Sequence, residues 1–84
     1  MKSDLYYIYG ILSIKDGRIY VGLTRDVEKR LNDHNSGKVF STKGFCPWQL
    51  IYQEKVIRRE RARFREKYFK SGCGKEFLKN IIPR

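Results

Sequence analysis

Apolar and polar positions change period several times along this chain, and each change marks an element. Residues 5–14 read LYYIYGILSI, an uncharged run rich in Tyr and Ile, and residues 18–23 alternate. Asp16-Gly17 between them is a strong two-residue turn signal, so the two runs are predicted to form a tight hairpin. The register pairs Ile14 with Ile19, Leu12 with Val21 and Gly10 with Leu23, an apolar face that belongs against a core. The other face collects Tyr7, Tyr9, Ile11 and Ser13 with Tyr20, Gly22 and Thr24. Tyr9 and Tyr20 then share a face, with Gly22 contributing no side chain between them, which makes a hollow rimmed by phenols.

Downstream the period becomes helical. Asp26 is placed to cap a helix over 27–36, with Glu28 in its first turn and Gly37 just past its end. Val27, Leu31 and His34 form one stripe of that helix, and Arg30 lies beside the stripe. Residues 38–45 read as a polar loop. Pro47 opens a third predicted strand over 48–53, in which Trp48, Leu50 and Tyr52 alternate with Gln49, Ile51 and Gln53. A second helix is predicted over 57–70, ended by Ser71-Gly72. A last short helix over 75–81 offers Phe77, Leu78, Ile81 and Ile82 to the core before Pro83. Strand, strand, helix, strand, helix, helix predicts a small α+β domain, a three-stranded antiparallel sheet flanked by helices.

Composition narrows what such a domain does. Eighty-four residues are expected to make one domain spanning 1–84. Nineteen Lys and Arg against nine Asp and Glu leave +10 at pH 7. Self-repulsion on that scale costs a small fold stability, so a negatively charged partner is expected. At 40% hydrophobic and 14% aromatic residues, the chain has too many core formers for a disordered polybasic tail. Cys46, Cys73 and the single histidine, His34, fall short of the closely spaced ligand set of a structural zinc. Both cysteines are expected to be buried or half-buried thiols in a reducing cytoplasm. The uncharged run is too short for the ~20 residues that span a bilayer, and no small-residue cleavage site follows it. A cytoplasmic protein with no membrane partner is expected.

Charge is concentrated between Lys55 and Lys70, where eight basic and two acidic side chains leave a net +6. On a helix, Arg58, Arg59, Arg63, Arg65, Lys67 and Lys70 would form a phosphate-binding surface, with arginine suited to bidentate contacts. Within that run Glu66 falls about 40° from Ala62 on a helical wheel and about 60° from Phe69. It is therefore a partly buried carboxylate among small and apolar neighbours, with Lys70 four residues on as an ordinary ion-pair partner. A lone carboxylate beside a tyrosine hollow is also what one hard cation needs when its other ligands are water and phosphate.

Tyr7-Ile8-Tyr9, followed ten residues later by Tyr20-Val21-Gly22, resembles the paired signature of the GIY-YIG nuclease family. Tyr7 stands where glycine is usual, and the functional tyrosine aligns with Tyr9. The resemblance continues through Gly22-Leu23-Thr24, Arg30-Leu31, His34-Asn35-Ser36-Gly37-Lys38, Pro47-Trp48-Gln49-Leu50-Ile51-Tyr52, and Ala62, Glu66 and Lys70 at four-residue steps. It covers roughly residues 6–72 and is closest to the stand-alone, single-domain members. It implies that Tyr9 and Tyr20 frame the site, with Gly22 leaving room beside it. Arg30 and His34 approach from the first helix, and Glu66 holds one divalent ion, Mg²⁺ or Mn²⁺. Family members often use a downstream Asn, for which Asn80 is the candidate, although a helix-end cap is an equal account of it. The implied activity is endonucleolytic hydrolysis of DNA that is branched, nicked or duplex, with RNA the other candidate substrate and a monomer expected in solution.

Tyr9 is the expected general base. A phenol near pKa 10 must then be depressed by nearby cations or relayed through His34 or Tyr20. Trp48 and Tyr52 are expected in the core. The competing function is a non-catalytic nucleic-acid-binding module on the same fold, separable only by metal-dependent turnover.

Overall fold

The structure, a computed structural model, describes residues 4–82, so Pro83 lies outside the described residues. The predicted order is present: β1 (Leu5–Ser13), β2 (Ile19–Thr24), α1 (Val27–Asn35), a single 3-10 turn (Lys43–Phe45), β3 (Trp48–Ile57), α2 (Arg59–Lys70) and α3 (Gly72–Ile81). The sheet is antiparallel throughout in the order β2-β1-β3, which places β1 in the centre. Both faces are covered. Ile8, Val21 and Val56 pack against Ala62, Phe69 and Leu78 of α2 and α3 on one side. Tyr9, Ile11 and Trp48 pack with Tyr20, Val27, Leu31, Phe45 and Cys46 under α1 and the segment that follows it.

The hairpin register differs from the predicted one by two residues. Tyr9 pairs with Gly22, Gly10 with Val21 and Leu12 with Ile19, and Ile14 is exposed in the loop. Local polar groups lengthen the turn. Arg18 N donates to Asp16 Oδ1 at 3.1 Å, Asp16 N donates to Ser13 Oγ at 3.2 Å, and Gly17 takes φ +81°. Ile14 N donates instead to Pro47 O at 2.9 Å. Because strands have period two, a shift of two leaves every residue on its predicted face.

β3 departs further. It runs on to Ile57, and between Gly10 and Ile11 its pairing jumps from Tyr52 to Leu50, leaving Ile51 as a bulge. The extra residue reverses the alternation, so Trp48 and Leu50 face α1 while Tyr52 faces α2 and α3. The predicted single face of Trp48, Leu50 and Tyr52 is thereby split. β-Branched Val56 and Ile57 suit the strand, and Arg58, at φ +80° with its N–H donating to Asp4 O at 2.9 Å, breaks the chain into α2. α3 starts at Gly72 because the Ser71 hydroxyl accepts from Gly74 N at 3.5 Å. Phe77 and Ile81 are partly exposed, leaving Leu78 as the buried residue of that helix's apolar face. Cys73, in the first turn of α3, is exposed rather than half-buried, while Cys46 is half-buried and donates its thiol to His34 O at 3.0 Å.

Candidate active site

The site is built outward from Tyr9 on the central strand. Tyr9 is 1% exposed, so the phenol-rimmed hollow expected here is filled by one of its own phenols. The ring lies across Gly22 on β2, where a Cβ would come 2.5 Å from Tyr9 Oη. Only glycine at that position lets the ring lie there.

Tyr9 Oη is 2.8 Å from His34 Nε2, and His34 Nδ1 is 2.7 Å from Thr42 Oγ1. The Thr42 hydroxyl in turn donates to Val39 O at 3.4 Å. Donation in the order Tyr9 O–H to Nε2, Nδ1–H to Thr42, Thr42 O–H to Val39 gives every proton of the chain an acceptor. All three side chains are buried, and no buried side-chain polar atom among the described residues lacks a partner. Tyr20 stands edge-on to His34 with ring centroids 5.0 Å apart, and its ring is 6.4 Å from that of Tyr9.

Thr42 is the member of this hydrogen-bonded chain that sequence reasoning missed. It lies in a loop where no periodicity marks one polar residue over another. Its position is set by Trp48, whose indole Nε1–H donates to Thr42 O at 3.1 Å. Trp48 is core as expected, and Asn35 fixes its backbone: Trp48 N donates to Asn35 Oδ1 at 2.6 Å and Asn35 Nδ2 donates to Trp48 O at 3.1 Å.

Burial pushes the Tyr9 phenol up to about 12, and the charges of Tyr20 and Glu66 add to that, while Arg30 beside it pulls the other way. The expectation that cations depress this phenol is therefore overturned by desolvation. Burial and the Arg30 charge hold His34 below its ordinary 6.5, with Asp33 opposing, so the imidazole is neutral at pH 7. Arg30 pairs with Asp33, Nη1 to Oδ2 at 3.9 Å, and Asp33 also receives Lys29 Nζ at 3.5 Å. Asp26 caps α1, accepting from Lys29 N at 3.1 Å.

Glu66 is partly buried on α2 and paired with Lys70, Oε2 to Nζ at 3.2 Å. No group of three or more His, Cys, Asp or Glu gathers among the described residues. A single carboxylate fits a hard divalent ion that keeps its waters and takes a phosphate oxygen, in competition with the Lys70 ammonium that holds Glu66 here. Arg63, Lys67 and Lys70 line a shallow depression with Glu66, and Arg59 lies on the same flank of the helix. Arg65 lies on the opposite flank, gripped by Glu54 through Nε to Oε2 at 2.7 Å and Nη2 to Oε1 at 2.8 Å. Arg58 lines a groove on that opposite flank as well. Asn80 is exposed in the last turn of α3, outside the hydrogen-bonded chain.

The model of the GIY-YIG catalytic domain matches residues 5–79. The chain is 40% identical over 79 residues to a UPF0213 protein of Staphylococcus saprophyticus, covering 93% of this chain and 95% of that protein. It is 39% identical over 70 residues to a UPF0213 protein of Haloquadratum walsbyi, covering 82% and 78% of the two chains. The solution NMR structure of a UPF0213 protein from Bacillus halodurans is similar, with a TM-score of 0.55 at 34% identity over 92% of this chain and 84% of that one.

Proposed function

The chain belongs to the GIY-YIG family of catalytic domains, and we propose that it is a metal-dependent endonuclease hydrolysing phosphodiester bonds of DNA in the cytoplasm. The observation that carries this reading is the buried Tyr9–His34–Thr42 chain, with the charges of Arg30 and Glu66 acting on its Tyr9 end. A buried phenol hydrogen-bonded to a neutral imidazole suits phosphodiester hydrolysis, which needs a proton acceptor together with positive charge for the phosphorane and the leaving oxygen.

In the proposed reaction Tyr9 Oη takes a proton from the attacking water as its own O–H proton passes to His34 Nε2. His34 becomes an imidazolium whose Nδ1–H stays on Thr42. No free phenolate accumulates, which is essential for a phenol raised to about 12. Arg30 orients the phosphate and offsets its developing charge. Glu66 would hold a single Mg²⁺ or Mn²⁺, which when bound adds charge at the leaving oxygen. Arg59, Arg63, Lys67 and Lys70 hold the backbone of the cleaved strand.

The test is a panel of labelled branched, nicked, duplex and single-stranded DNA, with RNA alongside, incubated with Mg²⁺, Mn²⁺ or EDTA. Cleavage is expected with either ion and none with EDTA. Glu66→Ala is expected to abolish cleavage while binding stays intact or tightens slightly, since a negative charge leaves a phosphate site. Binding without cleavage in every lane would make the protein the non-catalytic module, and full activity in the Glu66 variant would remove that residue from the ion.

A further inference from the structure

α2 has a second exposed flank that the cleavage chemistry does not use. Arg61, Phe64, Arg65 and Tyr68 lie on the side of the helix away from Arg63 and Lys67. Phe64 is 70% exposed and Tyr68 39%. Arg65 is fixed by its bidentate bond to Glu54, and its guanidinium stacks on Tyr68 with 5.1 Å to the ring centre. Alongside runs a groove of about 640 Å³, where Lys55, Arg58 and Arg61 are the cations not bound to Glu54.

Phe64 lines a hollow with Glu60, Arg61 and Arg65. Apolar docking of another protein wants a patch free of charge at its centre, whereas here cations interleave with the rings. Rings between arginines match a chain of phosphates carrying flat bases. A duplex cannot use the rings, because its base faces are stacked on one another. We infer that this flank binds an unpaired strand, with phosphates on Lys55, Arg58 and Arg61 and bases stacked on Phe64 and Tyr68. The inference rests on the nuclease reading and sharpens it. With the two flanks one helix diameter apart, about 10 Å, an unpaired strand held here lies within reach of the basic flank beside Glu66.

The test is fluorescence anisotropy in EDTA, so that binding is read without cleavage, using a labelled oligothymidylate and a labelled blunt duplex. Phe64→Ala, on an exposed helix position, is expected to weaken oligothymidylate binding by about fivefold or more and to leave duplex binding within about twofold. Phe64→Leu, which keeps apolar bulk but has no flat face, is expected to behave like Ala, and Phe64→Trp to match or exceed the wild type. Equal loss on both probes, no loss on either, rescue by Leu, or a wild type that does not bind oligothymidylate would each overturn the inference. Cleavage in the metal panel together with any of those results leaves the nuclease reading standing. Absence of cleavage with a selective Phe64 effect does the reverse.

Discussion

Burial that pushes the Tyr9 phenol up to about 12 leaves only about one molecule in 10⁵ as phenolate at pH 7. A base working through that fraction would gain tenfold in rate for each pH unit. A relay into His34 behaves otherwise, because it needs the phenol protonated and the imidazole neutral. His34 is held below 6.5, so the rate should rise through a midpoint under that value and stay flat from about pH 7 to pH 9. A single-turnover pH profile separates the two, and a continuous tenfold climb would reject the relay. Thr42 is the second residue-scale test. Thr42→Val removes the partner of His34 Nδ1 while keeping the side chain's shape, and should slow cleavage by about tenfold to a hundredfold, by analogy with other partners that orient a histidine. Thr42→Ser should recover most of that rate. Substrate affinity should be unchanged in both, and the midpoint of the pH profile should move only in the Val variant.

Among the elements, what the sequence disclosed follows from which signals are local. Asp26 and Gly37 bracket α1 by chemistry that acts within one turn, and the predicted helix is off by one residue. The hairpin faces survived a wrong register because the error was an even number of residues. β3 was cut short because Gln53, Glu54 and Lys55 read as the polar end of a strand. In the fold these residues continue the pairing with Tyr9, Ile8 and Tyr7, and Glu54 is held there by Arg65 from α2. The bulge at Ile51 left no trace, since an isoleucine fits either face. The Tyr9, Tyr20 and Gly22 grouping was legible from strand parity, and the family resemblance is what joined His34 to it. Thr42 was not, because its role depends on a contact made across the fold. Glu54 supports an element-scale prediction. Glu54→Ala deprives Arg65 and the Tyr52 hydroxyl of their shared acceptor and should cost about 1–2 kcal/mol in urea unfolding. A change below a few tenths would show that α2 is held to β3 by packing alone.

For the molecule as a whole, the proposed reaction has one Tyr9 relay and one Glu66, a single phosphodiester-cleaving centre. Each encounter should therefore cut one strand. Pairing two chains of +10 without nucleic acid between them is electrostatically unfavourable, so a monomer is expected by sedimentation at moderate salt. On supercoiled plasmid at limiting enzyme, open circles should accumulate before linear molecules. Linear product arising at once, without that intermediate, would point to a preformed dimer.

The extra residue in β3 also bears on how such a chain can change length over evolutionary time. On either side of Ile51 the ladder pairs residue for residue, Tyr52 with Gly10 and Leu50 with Ile11, so Ile51 is the one position of β3 that the pairing does not count. Losing Ile51 would leave a regular ladder with both faces kept, whereas losing Gln49 would swing Trp48 toward α2 and withdraw the indole that holds Thr42. Insertions and deletions should thus accumulate in the exposed turn at Lys15 and Asp16 and at the bulge, where no side chain of the relay depends on chain length, while the stretch from Trp48 to Leu50 keeps its number of residues.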